Sequence, residues 1–316
     1  MKMTKLKLSI LTVLTLIITS SLFYSCSNED SVGIENEKVD FLNELKAFNT
    51  NYQLTVIDVQ ENPILLSKGD DDCGFWCGLA NVVVVAGADL AGAAAGVEAV
   101  ATIAGAITAA SGGTGAPAGA AVVVGGAVVG AAAGSILAGR EIINSERSTT
   151  NYKKNDFFGK KLFIKNLNIN YPTDYSFLKK VGKLHNLEIY THNNGLSQRN
   201  TEISDFETVK NTEEWKIFIK KIENITQTYV NNNFNTTELT KLLFNDGLIS
   251  KDIENVLNVF YNIYNNIQID QNVQDIVNFY INAISNSTVL SYKDKVALIS
   301  AFSVASESPY FWLNQN

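Results

Sequence analysis

The segment from Gly78 to Gly139 consists almost entirely of Ala, Gly and Val, and its only charged residues are Asp89 and Glu98. A helix made of such residues has no polar face to turn toward water, so it must pack against other helices or enter a membrane. The run from Ser111 to Pro117 is rich in turn-forming residues and divides the segment into two arms. We therefore predict a hairpin of two apolar helices.

Glycines recur in both arms at a spacing of four residues. Residues four apart lie on the same face of a helix, and glycines on that face let a second backbone approach closely. The spacing predicts a glycine zipper that closes the hairpin or joins copies of the chain. Its helix-packing residues are Gly92, Gly96, Gly126, Gly130 and Gly134.

The two charged residues of the first arm are predicted to differ in their exposure. Asp89 shares a helix face with Gly92 and Gly96, which predicts that it is buried against the partner helix. Glu98 lies on nearly the opposite face and is expected to point outward, where lipid would cost it about 2.5–3.5 kcal/mol. Because Ala and Gly add little insertion energy, the sequence leaves both a membrane-inserted hairpin and a soluble packed core open.

The N-terminus predicts export. Lys2, Lys5 and Lys7 precede the apolar stretch Leu8–Leu22, and a small residue stands directly before Cys26. This resembles a lipoprotein signal peptide, which implies cleavage before Cys26 and attachment of fatty acids such as palmitate at that residue. The acidic residues that follow resemble the surface-export signal of Bacteroidota lipoproteins, so we expect an anchor in the outer membrane and treat surface exposure as a candidate location. A plain secretory signal or an uncleaved anchor are the alternatives.

The chain has three cysteines and two histidines, which limits its chemistry. With Cys26 lipidated, Cys73 and Cys77 remain as a pair, and an oxidising compartment favours a disulfide that closes a small loop before the hairpin. Two free thiols are the alternative. A metal site would lack ligands, because His185 and His192 are far away in the sequence, so we predict neither a metal nor another cofactor. The net charge of −7 argues against nucleic acid as a partner.

The composition changes after residue 150: Gly and Ala become rare, and apolar residues recur at helical spacing. Helix-start signals precede these runs, for example at Thr212 and Ser250. The predicted fold class is therefore mainly α, with a Gly/Ala-rich helical hairpin and a C-terminal all-α bundle. The predicted segments are a signal peptide (1–25), a tether with a short N-terminal helix (26–72, flexible over 27–37), the Cys loop with the hairpin (73–145) and a helical domain (151–316).

His185 is the candidate for acid–base chemistry, because an imidazole can exchange protons near neutral pH. No nucleophile or metal-ligand pattern stands beside it, and the chain has no phosphate-binding loop. A buried hydrogen-bonding or capping pair with Asn186 is the favoured interpretation. We predict no catalytic residues and no enzyme, with an enzyme that uses His185 as the least favoured hypothesis.

The order of segments resembles uncharacterised Bacteroidota lipoproteins, in which a Gly-x-x-His-Asn motif is combined with a C-terminal Ser-Val-Ala segment and an aromatic pair. The matching residues here are Gly182, His185 and Asn186, then Ser303–Ala305 and Phe311–Trp312. This resemblance implies no known activity. The hairpin alone is also similar in composition to the glycine-zipper segments of membrane-active bacteriocins.

Two hypotheses for function follow. The leading one is a membrane-anchored lipoprotein whose hairpin associates with a bilayer or forms oligomers, with no reaction assigned. The alternative is a soluble cell-surface interaction module whose hairpin is a packed core. The expected partners are a membrane, through the lipid and the hairpin, and a second copy of the chain, while a protein partner stays unidentified.

Overall fold

The computed structural model describes residues 29–54, 74–110, 116–146, 162, 166–194, 206–265 and 272–313. These residues contain ten α-helices and no strand, which confirms the predicted mainly α fold class. The helices are α1 (Glu29–Tyr52), α2 (Gly74–Ala110), α3 (Ala116–Glu146), α4 (Val181–Asn193), α5 (Glu207–Lys210), α6 (Glu213–Asn231), α7 (Thr236–Asn245), α8 (Lys251–Tyr264), α9 (Val273–Asn286) and α10 (Tyr292–Leu313), with a 3-10 helix, Thr173–Lys180, directly before α4.

The chain divides into two compact units, one up to Glu44 and one from Leu45 to Asn316. The hairpin α2–α3 and the helices of the C-terminal half belong to the same unit. The segments that the sequence separates at residues 145–151 therefore share one core.

Helix α2 is the central helix of this second unit. Every residue from Val85 to Val97 is buried, on all sides of the helix. A helix that is apolar all round is stable in a soluble fold only when other helices enclose it. Here α3 and α10 supply most of the contacts, and α5, α6, α7 and α8 supply smaller shares.

The zipper glycines lie where α2 and α3 touch. A Cβ atom added at Gly92 would lie 2.3 Å from the carbonyl oxygen of Gly130, and one at Gly96 would lie 2.1 Å from that of Gly126. Backbone atoms cannot rotate away as a side chain can, so any side chain at these positions would push the helices apart. The zipper glycines are thus used within one chain, between its two arms.

Other glycines of the hairpin also receive close neighbours. A Cβ at Gly134 would lie 2.6 Å from the carbonyl oxygen of Ala88. On a second face of α3, a Cβ at Gly125 would lie 2.3 Å from the Cβ of Phe206, the residue just before α5. The small residues of α3 therefore serve two contacts, one with α2 and one with the enclosing helices.

Polar side chains cap the starts of α6 and α8. The Thr212 hydroxyl accepts a hydrogen bond from the Trp215 amide at 3.2 Å, and the Ser250 hydroxyl accepts one from the Ile253 amide at 3.2 Å. Such caps satisfy amides that have no partner inside the helix. Each helix then turns its apolar side inward, with buried residues that include Trp215, Phe218, Ile222, Ile253, Leu257 and Phe260.

Two predictions for the N-terminal part are wrong. The flexible tether over 27–37 is helical from Glu29 onward, because Glu and Lys favour helix and acidic residues are stabilised at a helix start. Helix α2 begins at Gly74, so Cys77 lies in its first turn and not in a preceding loop. Cys26 and Cys73 lie outside the described residues, as does the signal peptide, so lipidation and the Cys73–Cys77 disulfide stay predictions.

The zipper predicts opposite outcomes for two Gly→Ala substitutions in α3. Gly130→Ala should lower the free energy of unfolding by about 1–3 kcal/mol, because its Cβ would lie 2.4 Å from the carbonyl oxygen of Gly92. Gly119→Ala has no atom within 4 Å of its Cβ and should raise stability by up to about 1 kcal/mol through helix propensity. Urea unfolding of both variants measures the difference, and equal effects would contradict the zipper.

Candidate functional site

Five polar side chains from four helices meet beside the zipper. Asp89 comes from α2, Ser135 from α3, His185 and Asn186 from α4, and Ser308 from α10. Each of these residues is completely buried. We call this group the Asp89 cluster.

Ser135 links the acid and the imidazole of the cluster. Its hydroxyl hydrogen-bonds to Asp89 Oδ1 and lies 3.1 Å from His185 Nε2. The Ser308 hydroxyl donates to the other carboxyl oxygen, Oδ2. The direct distance from His185 Nε2 to Asp89 Oδ2 is 3.6 Å. Each contact of the serine bridge is shorter than this direct distance, so the hydrogen bonds between the two titratable groups run through Ser135.

Asn186 fixes the tautomer of His185. The amide nitrogen of Asn186 donates to the carbonyl oxygen of Glu307 at 3.2 Å, so its side-chain oxygen faces His185 Nδ1 at 3.0 Å. An oxygen that only accepts requires a proton on Nδ1. In a neutral imidazole Nε2 then carries no proton and is an acceptor that faces the Ser135 hydroxyl. The favoured prediction of a buried hydrogen-bonding pair, His185 with Asn186, is confirmed.

Burial shifts both titratable groups toward their neutral forms. Loss of water raises the pKa of Asp89 to about 7, although hydrogen bonds from Ser135 and Ser308 oppose the rise. Loss of water lowers the pKa of His185 to about 4, while the bond to Asn186 acts in the opposite direction. Both shifts have the same cause, because a charged group in an apolar interior loses its hydration.

A second set of contacts holds α10 against the cluster. Pro309 lies inside α10 and has no amide proton, so the carbonyl of Ala305, four residues earlier, lacks its helical partner. The Tyr264 hydroxyl of α8 donates to that carbonyl at 3.0 Å. A side chain from another helix thus replaces the missing backbone bond, and α10 can continue to Leu313.

The structure brings together the motifs that carry the resemblance. The amide of Gly182 donates to the Ser303 hydroxyl at 3.1 Å, and a Cβ at Gly182 would lie 2.1 Å from the Ser303 carbonyl oxygen. The rings of Phe311 and Trp312 are buried and meet edge to face at 5.2 Å. The Trp312 indole faces the carboxyl group of Asp89.

Gly182 is needed for close contact between α4 and α10, because a side chain at this position would meet the backbone of Ser303.

The cluster differs from a hydrolytic Ser-His-Asp triad. In that arrangement the acid bonds Nδ1 and orients the imidazole, whereas here Asn186 occupies Nδ1 and Asp89 bonds the serine. The complete burial of Ser135 leaves no path for a substrate in this conformation. The chemistry that the geometry allows is proton exchange among buried groups.

Sequence reasoning missed Ser135 and Ser308. A signal for Ser135 was present, since it is the only polar side chain between Gly119 and Gly139. An isolated hydroxyl in an apolar helix usually serves a buried hydrogen bond. Ser308 gave no such signal, because Ser is frequent along α10.

The expectation that Glu98 points outward is wrong. Its carboxylate lies 2.6 Å from the Lys293 ammonium in the first turn of α10, and its side chain is only 11% exposed. Burial raises the pKa of Glu98, and the Lys293 charge and hydrogen bond lower it. Both acids of α2 are therefore engaged by α10, one through Lys293 and the other through Ser308.

A shallow groove runs along the exposed side of α3, between α4 and α6. It encloses about 450 Å³ and has an apolar floor that includes Val129, Ile136 and Trp215. Charged side chains such as Glu188 and Lys210 stand at its edge, as does His192. The described residues contain no group of three metal-ligating side chains, here or elsewhere.

Comparison of the chain with protein-family models, with curated proteins and with solved structures finds no match. The class of this protein is therefore described by its fold and its site alone. The chain is a mainly α protein with a glycine-zipper hairpin at its centre and a buried acid–serine–histidine cluster beside the zipper.

The contact between Tyr264 and α10 predicts a specific coupling. Tyr264→Phe should lower the free energy of unfolding by about 1–3 kcal/mol, because it leaves the Ala305 carbonyl buried without a partner. Pro309→Ala restores the amide that can bond this carbonyl, so Tyr264→Phe should cost less in that background. A double-mutant cycle by urea unfolding measures the coupling, and strictly additive effects would contradict this account.

Proposed function

We propose that this chain is a lipid-anchored protein of the outer membrane whose glycine-zipper hairpin is the packed core of a cell-surface interaction module. The lipid on Cys26 attaches the protein to the membrane, and the helical unit from Leu45 onward carries the interaction. The protein catalyses no reaction of its own. Of the two hypotheses from the sequence, we thus prefer the packed core to a hairpin that associates with the bilayer or forms oligomers.

The observation that carries this proposal is the way in which α10 engages both acids of α2. Asp89 receives a hydrogen bond from Ser308, and Glu98 forms an ion pair with Lys293. Transfer of the hairpin into lipid would break both contacts and leave two acids in hydrocarbon, which is costly for each of them. The sequence of α10 thus matches the charges of α2 in the packed state.

The zipper supports the same conclusion. Its glycines are covered by the partner arm of the same chain, so in this conformation they offer no surface to a second copy. The second observation in support is the burial of α2 on all sides from Val85 to Val97. A lipid-facing helix would instead leave part of its circumference free.

One observation favours the second candidate, a membrane-associating hairpin. Two segments, Val85–Ile103 and Gly119–Gly139, are long and apolar enough to cross a bilayer. The α3 segment is less completely covered, and its Val129 and Ile136 form part of the groove floor. In this alternative the bundle opens and releases the hairpin to the bilayer.

Lipid anchoring has a direct test. Cells fed radiolabelled palmitate should incorporate label into the wild-type protein, whereas Cys26→Ser should lose the label and its retention in the membrane fraction. Cys77→Ser is the control, because it removes a cysteine without touching the predicted lipidation site. Equal labelling of Cys26→Ser and wild type would refute the anchor.

The packed-core proposal predicts that Lys293 stabilises the fold in the absence of lipid. In the mature chain carrying Cys26→Ser, Lys293→Met should lower the free energy of unfolding by about 1–3 kcal/mol, because Glu98 loses this ion-pair partner while it is largely buried. Lys216→Met is the matched control. It also removes a lysine 2.6 Å from a glutamate, Glu213, but that pair is exposed and should matter little.

Vesicle flotation of the same proteins separates the two candidates. The packed core predicts that the unlipidated chain stays in the buffer fraction with cooperative unfolding. A membrane-associating hairpin predicts flotation of the unlipidated wild type, with stability in buffer that is indifferent to Lys293→Met. The second result would replace the proposed function with the second candidate.

A further inference from the structure

We propose that Asp89, Ser135 and His185 form one hydrogen-bonded chain that retains a single shared proton in the core. This hydrogen-bonded chain is a latch that holds the hairpin against α4 and α10 with the same strength throughout the mildly acidic pH range. The latch connects the hairpin arms to two enclosing helices, since Asp89 lies on α2, Ser135 on α3 and His185 on α4. Ser308 adds α10 through the second carboxyl oxygen.

The geometry allows two complete arrangements of the same protons. In the neutral one, Asp89 Oδ1 carries a proton and donates it to Ser135, whose own hydroxyl proton then points to His185 Nε2, 3.1 Å away. In the ionic one, His185 Nε2 carries a proton and donates it to Ser135, whose hydroxyl donates to Asp89 Oδ1. Moving two protons along the chain interconverts them, and no proton enters or leaves the core.

The outer hydrogen bonds are the same in both arrangements. His185 Nδ1 donates to Asn186, and the Ser308 hydroxyl donates to Asp89 Oδ2. Every donor and acceptor on the chain between the acid and the imidazole is therefore satisfied in either state. A buried polar group without such a partner destabilises the fold, so the cluster tolerates a proton shift but not the loss of a member.

The surroundings favour the neutral arrangement. Asp89 acts electrostatically on the phenols of Tyr229 on α6 and of Tyr261 and Tyr264 on α8. From α10, Tyr310 acts on Tyr264, and the backbone carbonyl of Glu307 accepts a hydrogen bond from Asn186. Burial raises the pKa of the Tyr229, Tyr261 and Tyr264 phenols, so they stay uncharged. Among the described residues His185 alone lies within ion-pair distance of Asp89. Separated charges would thus have little to stabilise them in this apolar interior.

The pH dependence follows from counting protons. Asp89 has a folded pKa of about 7 against an ordinary value of 3.8, so alone it contributes stability that is present below 3.8 and lost as the pH rises toward 7. His185 has a folded pKa of about 4 against 6.5, so alone it contributes stability that is present above 6.5 and lost as the pH falls toward 4. The two slopes are opposite and cover nearly the same range.

The opposite pH dependences of the Asp89 and His185 contributions to stability cancel when both groups are present. Between about pH 4 and pH 6.5 the folded core holds one proton on Asp89, and the unfolded chain holds one proton on the histidine. Unfolding then releases and takes up the same number of protons, so these groups add no pH dependence. Mild acid therefore does not release the hairpin, which sets this latch apart from the histidine switches that open on acidification.

Single substitutions should reveal the two hidden slopes. Relative to wild type, His185→Gln should lose up to tenfold in the folding equilibrium constant for each unit that the pH rises between about 4 and 6.5, which is about 1.4 kcal/mol per unit. Asp89→Asn should lose up to the same factor for each unit that the pH falls over that range. Urea unfolding at a series of pH values, in the mature chain with Cys26→Ser, measures both slopes.

A measurement on the unsubstituted cluster covers the case in which these variants fail to fold. The chain has only two histidines, so ¹⁵N imidazole NMR resolves both, and His192→Gln assigns the signals. His185 should keep the shifts of a neutral ring with its proton on Nδ1 from pH 7.5 to about 5. A ring protonated on both nitrogens at pH 6, or a neutral ring with its proton on Nε2, would overturn the proposal.

The role of the serine bridge has its own matched pair. Ser135→Ala removes the link between Asp89 and His185, whereas Ser300→Ala removes an equally buried hydroxyl that bonds only the Val296 carbonyl of its own helix. The His185 signals should shift in Ser135→Ala and stay in place in Ser300→Ala, and the loss of stability should be larger in Ser135→Ala. Identical results for the two variants would show that Ser135 is not part of a proton chain.

Discussion

The close approach of the α2 and α3 backbones is the constraint on which the rest of the structure depends. Gly92 of α2 faces Gly130 of α3, and Gly96 of α2 faces Gly126 of α3. These two contacts leave no space for even a methyl group between the helices. Helices this close bury the surfaces that face each other. Their small side chains, however, bury little of the surrounding apolar surface. Larger side chains from α6, α8 and α10 must therefore supply the remaining apolar volume.

The position of the acids on α2 decides which helix completes the core. Asp89 and Glu98 both need polar partners once α2 is enclosed, because a buried carboxyl group is stable only with hydrogen bonds or an opposite charge. Helix α10 supplies Ser308 for one and Lys293 for the other. An antiparallel arrangement of α2 and α10 is the one that satisfies both, since the order of the contacts along the two helices is reversed.

Polar contacts also allow α10 to run past its own proline. The Tyr264 hydroxyl supplies the bond that Pro309 removes from Ala305, and Ser308, the residue before the proline, reaches Asp89. On the other side, Gly182 lets α4 approach Ser303 and brings His185 to the cluster. These residues of α4 and α10 each contact another helix, so the polar cluster and the helix packing depend on each other.

The sequence by itself determined the helical hairpin, its zipper face and the starts of helices such as those at Thr212 and Ser250, because spacing and capping are local properties of the chain. It also identified His185 with Asn186 as a buried pair. Only the tertiary structure decided that Glu98 meets Lys293 and that Asp89 meets Ser135 and Ser308. Periodicity states which face of a helix is apolar, but the partner of that face is a distant helix, and its choice depends on the packing of the whole core.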